Sequence, residues 1–267
     1  MSYVFGVTAR MTIGSICLLL LMLTIRQRLV FHSAARWTYL AVTVQMYLSM
    51  IITYWAAQFI PSGWVSVLFG LSPFMTALLA AAILNERSLG WQKICSYILG
   101  VSGLLVMFMS AMDLNNQALI GVAGILVSTF IHAISAIWVK HINAKLPALQ
   151  QITGGLFFSL PLYFLSWYAL DDAQFPTDIS DRSLFAILYL GVIATTLGLA
   201  LYYYVLTHLP ATKVALINLM TPVLSLLLGS KVNHEPLTIK AIAGTGLIMI
   251  ALLIYQLADR QHRLKHV

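Results

Sequence analysis

Apolar residues in this chain come in long runs, separated by short polar connections. Nine runs stand out, at roughly 4–25, 37–59, 64–84, 91–109, 118–139, 150–169, 184–206, 211–230 and 238–256. A bilayer core of roughly 30 Å takes about 20 apolar residues per helical crossing, so each run predicts a spanning helix. The connections are a handful of residues each, apart from the stretch around 170–183. No room is left for a soluble catalytic or receptor domain. The first run is not a cleaved leader, because Arg26 and Arg28 stand where a small-residue cleavage site belongs and another apolar run follows.

A pattern recurs 149 residues apart. Pro61, Pro73 and Glu86 are spaced by 12 and 13 residues, and Pro210, Pro222 and Glu235 repeat those spacings. Ser72-Pro73-Phe74-Met75-Thr76 answers Thr221-Pro222-Val223-Leu224-Ser225, and Val65 answers Val214. The chain reads as an internal duplication of a set of membrane helices. The first copy covers 1–109 and the second 118–256, with a basic tail over 257–267.

Composition agrees: 60% of residues are hydrophobic and 9% charged, against about a quarter charged in soluble domains. Assigning alternate loops to one side collects 11 of the 15 basic residues, including Arg26, Arg28, Arg36, Lys140, Lys145 and Arg263. That side is read as cytoplasmic, with the carboxyl terminus on it. The net charge of +7 is then a topology signal rather than a nucleic-acid surface. Five crossings separate Pro61 from Pro210, so the copies have opposite orientation, an arrangement that recurs in secondary transporters. Cys17 and Cys95 lie inside apolar runs and read as small core residues. No zinc or thioredoxin spacing occurs, and no cofactor is implied.

The duplicated block, its proline-marked helix starts, and the Glu86-Arg87-Ser88-Leu89 and Glu235-Pro236-Leu237-Thr238 corners resemble EamA-type transporters of the drug/metabolite transporter superfamily. The resemblance implies an all-α polytopic bundle of ten helices in two inverted five-helix repeats. It also implies an integral protein of the bacterial inner membrane, surrounded by lipid, that moves small metabolites, amino-acid-like or amphiphilic, and frequently outward.

Polar groups held in hydrocarbon are costly and usually face a bundle interior. Gln45, Thr76, His132, Thr195 and Asn218 fall roughly 10–18 Å from the cytoplasmic ends of their helices, a layer suited to a central substrate site. Ser72 and Thr221 flank the mid-membrane prolines, and Asn218, Thr221 and Ser225 share a helix face. Each also has a plain structural reading, as interhelical contact or as a patch for a proline kink. Arg10, about 9 Å below the outer edge, either snorkels to the interface or meets an anionic group in the cavity. Tyr54-Trp55 and Tyr202-Tyr203-Tyr204 are interfacial anchors or cargo-stacking groups.

Glu86 and Glu235 lie on opposite sides of the membrane and cannot form a catalytic pair; each suits the start of the helix that follows it. No Asp or Glu falls mid-helix, which leaves His132 as the candidate proton carrier and a uniporter or exchanger as the alternative. Arg10 tilts the cargo towards neutral, zwitterionic or carboxylate-bearing metabolites. Two other readings stay open: a non-transporting membrane assembly partner, and an integral-membrane enzyme, for which no constellation of nucleophile, metal ligands or paired carboxylates is visible.

Shifting the run at 118–139 back by 149 residues places its counterpart before Met1, so the first copy lacks an opening helix. The expectation is nine helices of a ten-helix plan, with a further apolar segment encoded about 30 residues upstream. The alternative is a genuine nine-helix protein that closes its cavity as a homodimer.

Overall fold

A computed structural model describes residues 2–83, 91–114, 116–177, 179–198, 211–235 and 237–264, with side chains throughout except at 111, 113, 114, 116, 211–219 and 259–264. Every element among the described residues is helical. Helix α1 spans Tyr3–Thr24, and its first turn is closed by Ser2, whose hydroxyl accepts from the Val4 amide at 3.2 Å. Helix α2 (Ser33–Thr43) passes through a π-helical turn, Val44–Ser49, into α3 (Met50–Ala56). Then come α4 (Ser62–Phe69), α5 (Ser72–Ile83), α6 (Trp91–Leu114), α7 (Asn116–Ile142) and α8 (Ala148–Asp171). Helix α9 (Asp181–Leu188) continues as a second π-helical segment, Tyr189–Leu197, and is followed by α10 (Ala211–Asn233) and α11 (Ile239–Leu264).

Seven of the described helical stretches are long and apolar enough to cross a membrane, and the runs predicted at 184–206 and 211–230 are helical where described. Large side chains such as Leu23, Trp91, Leu165 and Ile239 stay more than 60% exposed, which hydrocarbon tolerates and water does not. The protein is a polytopic membrane helix bundle. Helix α11 runs on through 257–264, so the tail begins as helix rather than as a loop.

The two proline-bearing helices differ. α4 stops at Phe69, and Gly70 donates to both Ser66 O and Val67 O at 3.0 Å before helix resumes at Ser72. Gly70 is a poor helix former, and Pro73 has no N–H for the Phe69 carbonyl four residues back. Its counterpart Pro222 sits inside an unbroken α10.

The helices form two compact units, Met1–Tyr54 with Ile134–His208, and Trp55–Ala133 with Leu209–Val267. In the first, α1 packs on α8 and on the second π segment, and α2 packs on α8. Gly154 and Gly155 make the α2 approach possible: a β-carbon at either would lie within 2.5 Å of Tyr39 or Val42. In the second unit α6 lies along α11 and α4 along α10. Gly103 and Gly244 meet face to face, a β-carbon on Gly103 falling 2.7 Å from Gly244 O, the close approach that small residues give membrane helices.

Candidate functional site

In the first unit a tyrosine holds Arg10. It stands on α1 about 10 Å from Tyr3. Nη1 donates to Tyr54 Oη at 2.6 Å, and the guanidinium carbon lies 5.9 Å from the Tyr54 ring centroid, within cation–π range. Tyr54 and Tyr47 both pack on the cluster that contains Tyr163. The hydroxyl of Tyr163 donates to the Met46 carbonyl, the hydroxyls of Tyr47 and Ser166 are 2.5 Å apart, and the two tyrosine rings meet edge-on at 5.1 Å. Gln45, Met46 and Tyr47 all belong to the first π turn, whose wider ring loosens the ordinary i to i−4 ladder. Ser135 Oγ donates to Ala41 O at 2.6 Å and lies 3.5 Å from Gln45 Oε1.

Thr195 sits in the other π segment and donates to Leu190 O, five residues back, at 2.8 Å. It packs over Gly14, one turn along α1 from Arg10; a β-carbon there would lie 2.9 Å from Thr195 Cγ2. Arg10, Gln45 and Thr195 are therefore carried by one unit.

Ser72, Thr76, His132 and Thr221 belong to the other. His132 is half-buried and stands edge-on to Phe69, 6.2 Å between ring centroids, where α4 breaks. Ser72 and Thr76 are half-buried, one turn apart at the start of α5. Thr221 and Ser225, with Ser62, Ser66 and Asn233, line a groove along α4 and α10. The backbone at Asn218 is helical, but its side chain lies outside the described residues, as do Glu86, the Glu86–Leu89 corner, Pro210, Pro236 and the Tyr202–Tyr204 cluster.

Glu235 caps a helix, though not the one that follows it. Its carboxylate accepts from the amides of Ser62 at 2.9 Å and Gly63 at 3.4 Å, at the start of α4, and from Asn233 Nδ2 at 3.3 Å. The start of α11 is served by Thr238, whose hydroxyl accepts from Ala241 N at 3.1 Å. Partial burial pushes the Glu235 carboxyl upward, but the hydrogen bonds from Ser62, Gly63 and Asn233 outweigh it and hold the group below its ordinary value.

Sequence reasoning passed over Tyr47, Tyr163 and Ser166. The available signal was a tyrosine in the middle of an apolar run, since a phenol in hydrocarbon needs an acceptor. Tyr54, read as an interfacial anchor or a cargo-stacking group, also holds the Arg10 guanidinium.

The model of the EamA-like transporter family matches residues 1–109 and 119–256. The chain is 28% identical over 197 residues to an uncharacterized transporter of Archaeoglobus fulgidus, covering 73% of this chain and 68% of that protein. It is 26% identical over 246 residues to an uncharacterized transporter of Bacillus subtilis, covering 90% and 82%. A third relative, from Salmonella typhimurium, is named "Probable amino-acid metabolite efflux pump" and is 28% identical over 215 residues, covering 78% of this chain and 71% of its own.

Proposed function

The chain belongs to the EamA-like transporter family, and from that premise we propose that this membrane transporter is a secondary carrier exporting small amino-acid-like or amphiphilic metabolites by alternating access. The observation that carries the mechanism is the pair of π-helical interruptions. The first, Val44–Ser49, falls on 193–198 when shifted by the 149-residue repeat, overlapping the second at Tyr189–Leu197. Interrupted helices at corresponding positions of two halves are the usual mark of a carrier's binding region. Inverted repeats, an inner-membrane location and a cytoplasmic carboxyl terminus complete this reading. Cargo would be handled by Arg10, Gln45, Ser72, Thr76, His132, Thr195, Asn218 and Thr221. The outward direction is supported by the efflux name of the Salmonella relative.

Counterflow of labelled amino acids in proteoliposomes tests the reading; a purified, folded protein that exchanges none of a broad panel would overturn it. His132→Leu and Asn218→Leu are expected to abolish counterflow with membrane insertion intact, because both replace a polar group in hydrocarbon by an apolar one. Reporter fusions after residue 264 and within 173–180 should report opposite sides of the membrane.

A further inference from the structure

We propose that the Arg10–Tyr54 pair is an oxyanion site that takes the carboxylate of the transported metabolite, an inference that rests on the carrier reading above and names the cargo's recognition group. A guanidinium within a membrane helix is expensive and is ordinarily paired with an acid or aimed at one. Here, among the described residues, no carboxylate pairs with Arg10, and its Nε is closed off from solvent with nothing accepting from it. Tyr54 holds the side chain by hydroxyl and ring together.

The Tyr54 hydroxyl accepts from Arg10, so its own proton is left to donate. A carboxylate presented to this pair would take charge-assisted bonds from the planar guanidinium fork and one from the phenol. That geometry distinguishes arginine from lysine as a carboxylate receptor. Tyr163 lies within electrostatic reach of both Arg10 and Tyr54 and donates to the Met46 carbonyl in the first π turn. The anion would therefore arrive beside the residue that ties down the interrupted helix, where binding can bias its winding.

A lipid phosphate offers the same oxyanion chemistry, and the experiment separates the two sources. Protein purified in dodecyl maltoside, which carries no phosphate, is titrated with acetate, isobutyrate, hexanoate and phenylacetate, each against its own primary amide, with tryptophan fluorescence and thermal stabilisation as readouts. The expected result is at least one carboxylate bound about tenfold or more tighter than its amide, on the scale of a charged hydrogen-bonded contact. Arg10→Gln should bring that ratio to about one, Arg10→Lys should leave an intermediate value, and Tyr54→Phe, which keeps the packing, should lower it a few-fold.

Equal binding of acid and amide by the wild type, or a ratio unchanged in Arg10→Gln, overturns the proposal. So does an Arg10 effect that appears only when phosphatidylglycerol is added, which assigns the site to lipid. The carrier reading fails separately: a protein with the ratio intact but no counterflow loses that reading alone, and one with counterflow but no ratio loses this proposal alone.

Discussion

Both units of the molecule are made of long apolar helices, yet they hold together by different means. In the second unit, among the described residues, fifteen buried hydrophobic residues, from Ala56 and Trp64 to Ile248 and Leu252, form one continuous cluster, and α6 meets α11 glycine to glycine. In the first, among the described residues, the comparable cluster is five residues, Val7, Met11, Leu18, Leu156 and Tyr163, with other buried side chains such as Tyr39 and Val42 outside it. Its helices also pack closely at Gly154 and Gly155, and they carry more of the side-chain bonds that span over ninety residues of sequence: Thr43 to Gly155 O at 3.0 Å, Ser135 to Ala41 O at 2.6 Å, Tyr163 to Met46 O, and Tyr47 with Ser166, where the second unit has Ser110 with Thr238 and Glu235 with Ser62. Lipid tails are as apolar as leucine, so helices in a membrane associate through close packing and hydrogen bonds rather than through water exclusion. Interlocked backbones are hard to separate in steps. A hydroxyl that bonds a carbonyl can change partner, and both π segments among the described residues lie in the first unit. On the proposed alternating-access reading, the π segments assign local rewinding to the first unit and leave the second as the frame.

The largest effect should come from breaking the frame. Gly103→Leu places a branched side chain where even a β-carbon would be 2.7 Å from Gly244 O, and overpacking of this kind costs about 1–3 kcal/mol or more. Loss of monodisperse protein after detergent extraction, or a large fall in melting temperature, is the expected outcome. Gly246→Leu is the matched control, since a β-carbon there meets nothing within 4 Å. Comparable losses in both variants would mean that the α6–α11 contact is not what holds the unit together.

The tied unit should respond differently. Tyr163→Phe removes the donor to Met46 O while keeping the ring against Tyr47. Interhelical hydrogen bonds in membranes are worth about 0.6–2 kcal/mol, so the melt should shift only modestly. Counterflow should change by more than stability does, because the freed carbonyl lies in the π turn. A variant that loses stability with its transport rate untouched would make Tyr163 a structural tie and blunt the contrast between the units.

How much of this was legible beforehand follows the same division. Apolar runs fix spanning helices, and the described helices lie where the runs predict them. The break before Pro73 is half legible: a proline and a glycine in one helix give the warning, yet Pro222, at the matching position with Leu219 where Gly70 would correspond, leaves α10 whole. The π turns have no local sign, because the carbonyl displaced at Met46 is stabilised by a tyrosine 117 residues away. Arg10 was visible as an intramembrane charge, but its partner Tyr54 was not, since an aromatic near a helix end usually anchors in the interface. The cap made by Glu235 escaped for a related reason: a local rule assigns a carboxylate to the next helix, and the fold brings up another one.

The smallest effect is expected from that cap, a polar tie in the packed unit. Glu235→Gln keeps an oxygen for the Ser62 amide but removes the negative charge from the start of α4, which costs about 0.3–1 kcal/mol at an exposed helix end. The pH dependence has a definite sign. Because the folded carboxyl is held below its ordinary value of 4.5, its contribution is fully present above pH 4.5 and is lost as pH falls through the lower folded value. Thermal melts of wild type and Glu235→Gln should therefore keep a constant small separation from pH 5 to 8 and converge in more acidic buffer. A separation that persists undiminished at pH 3, or one as large as that of Gly103→Leu, would show that the corner between α10 and α11 holds α4 by something other than the carboxylate charge.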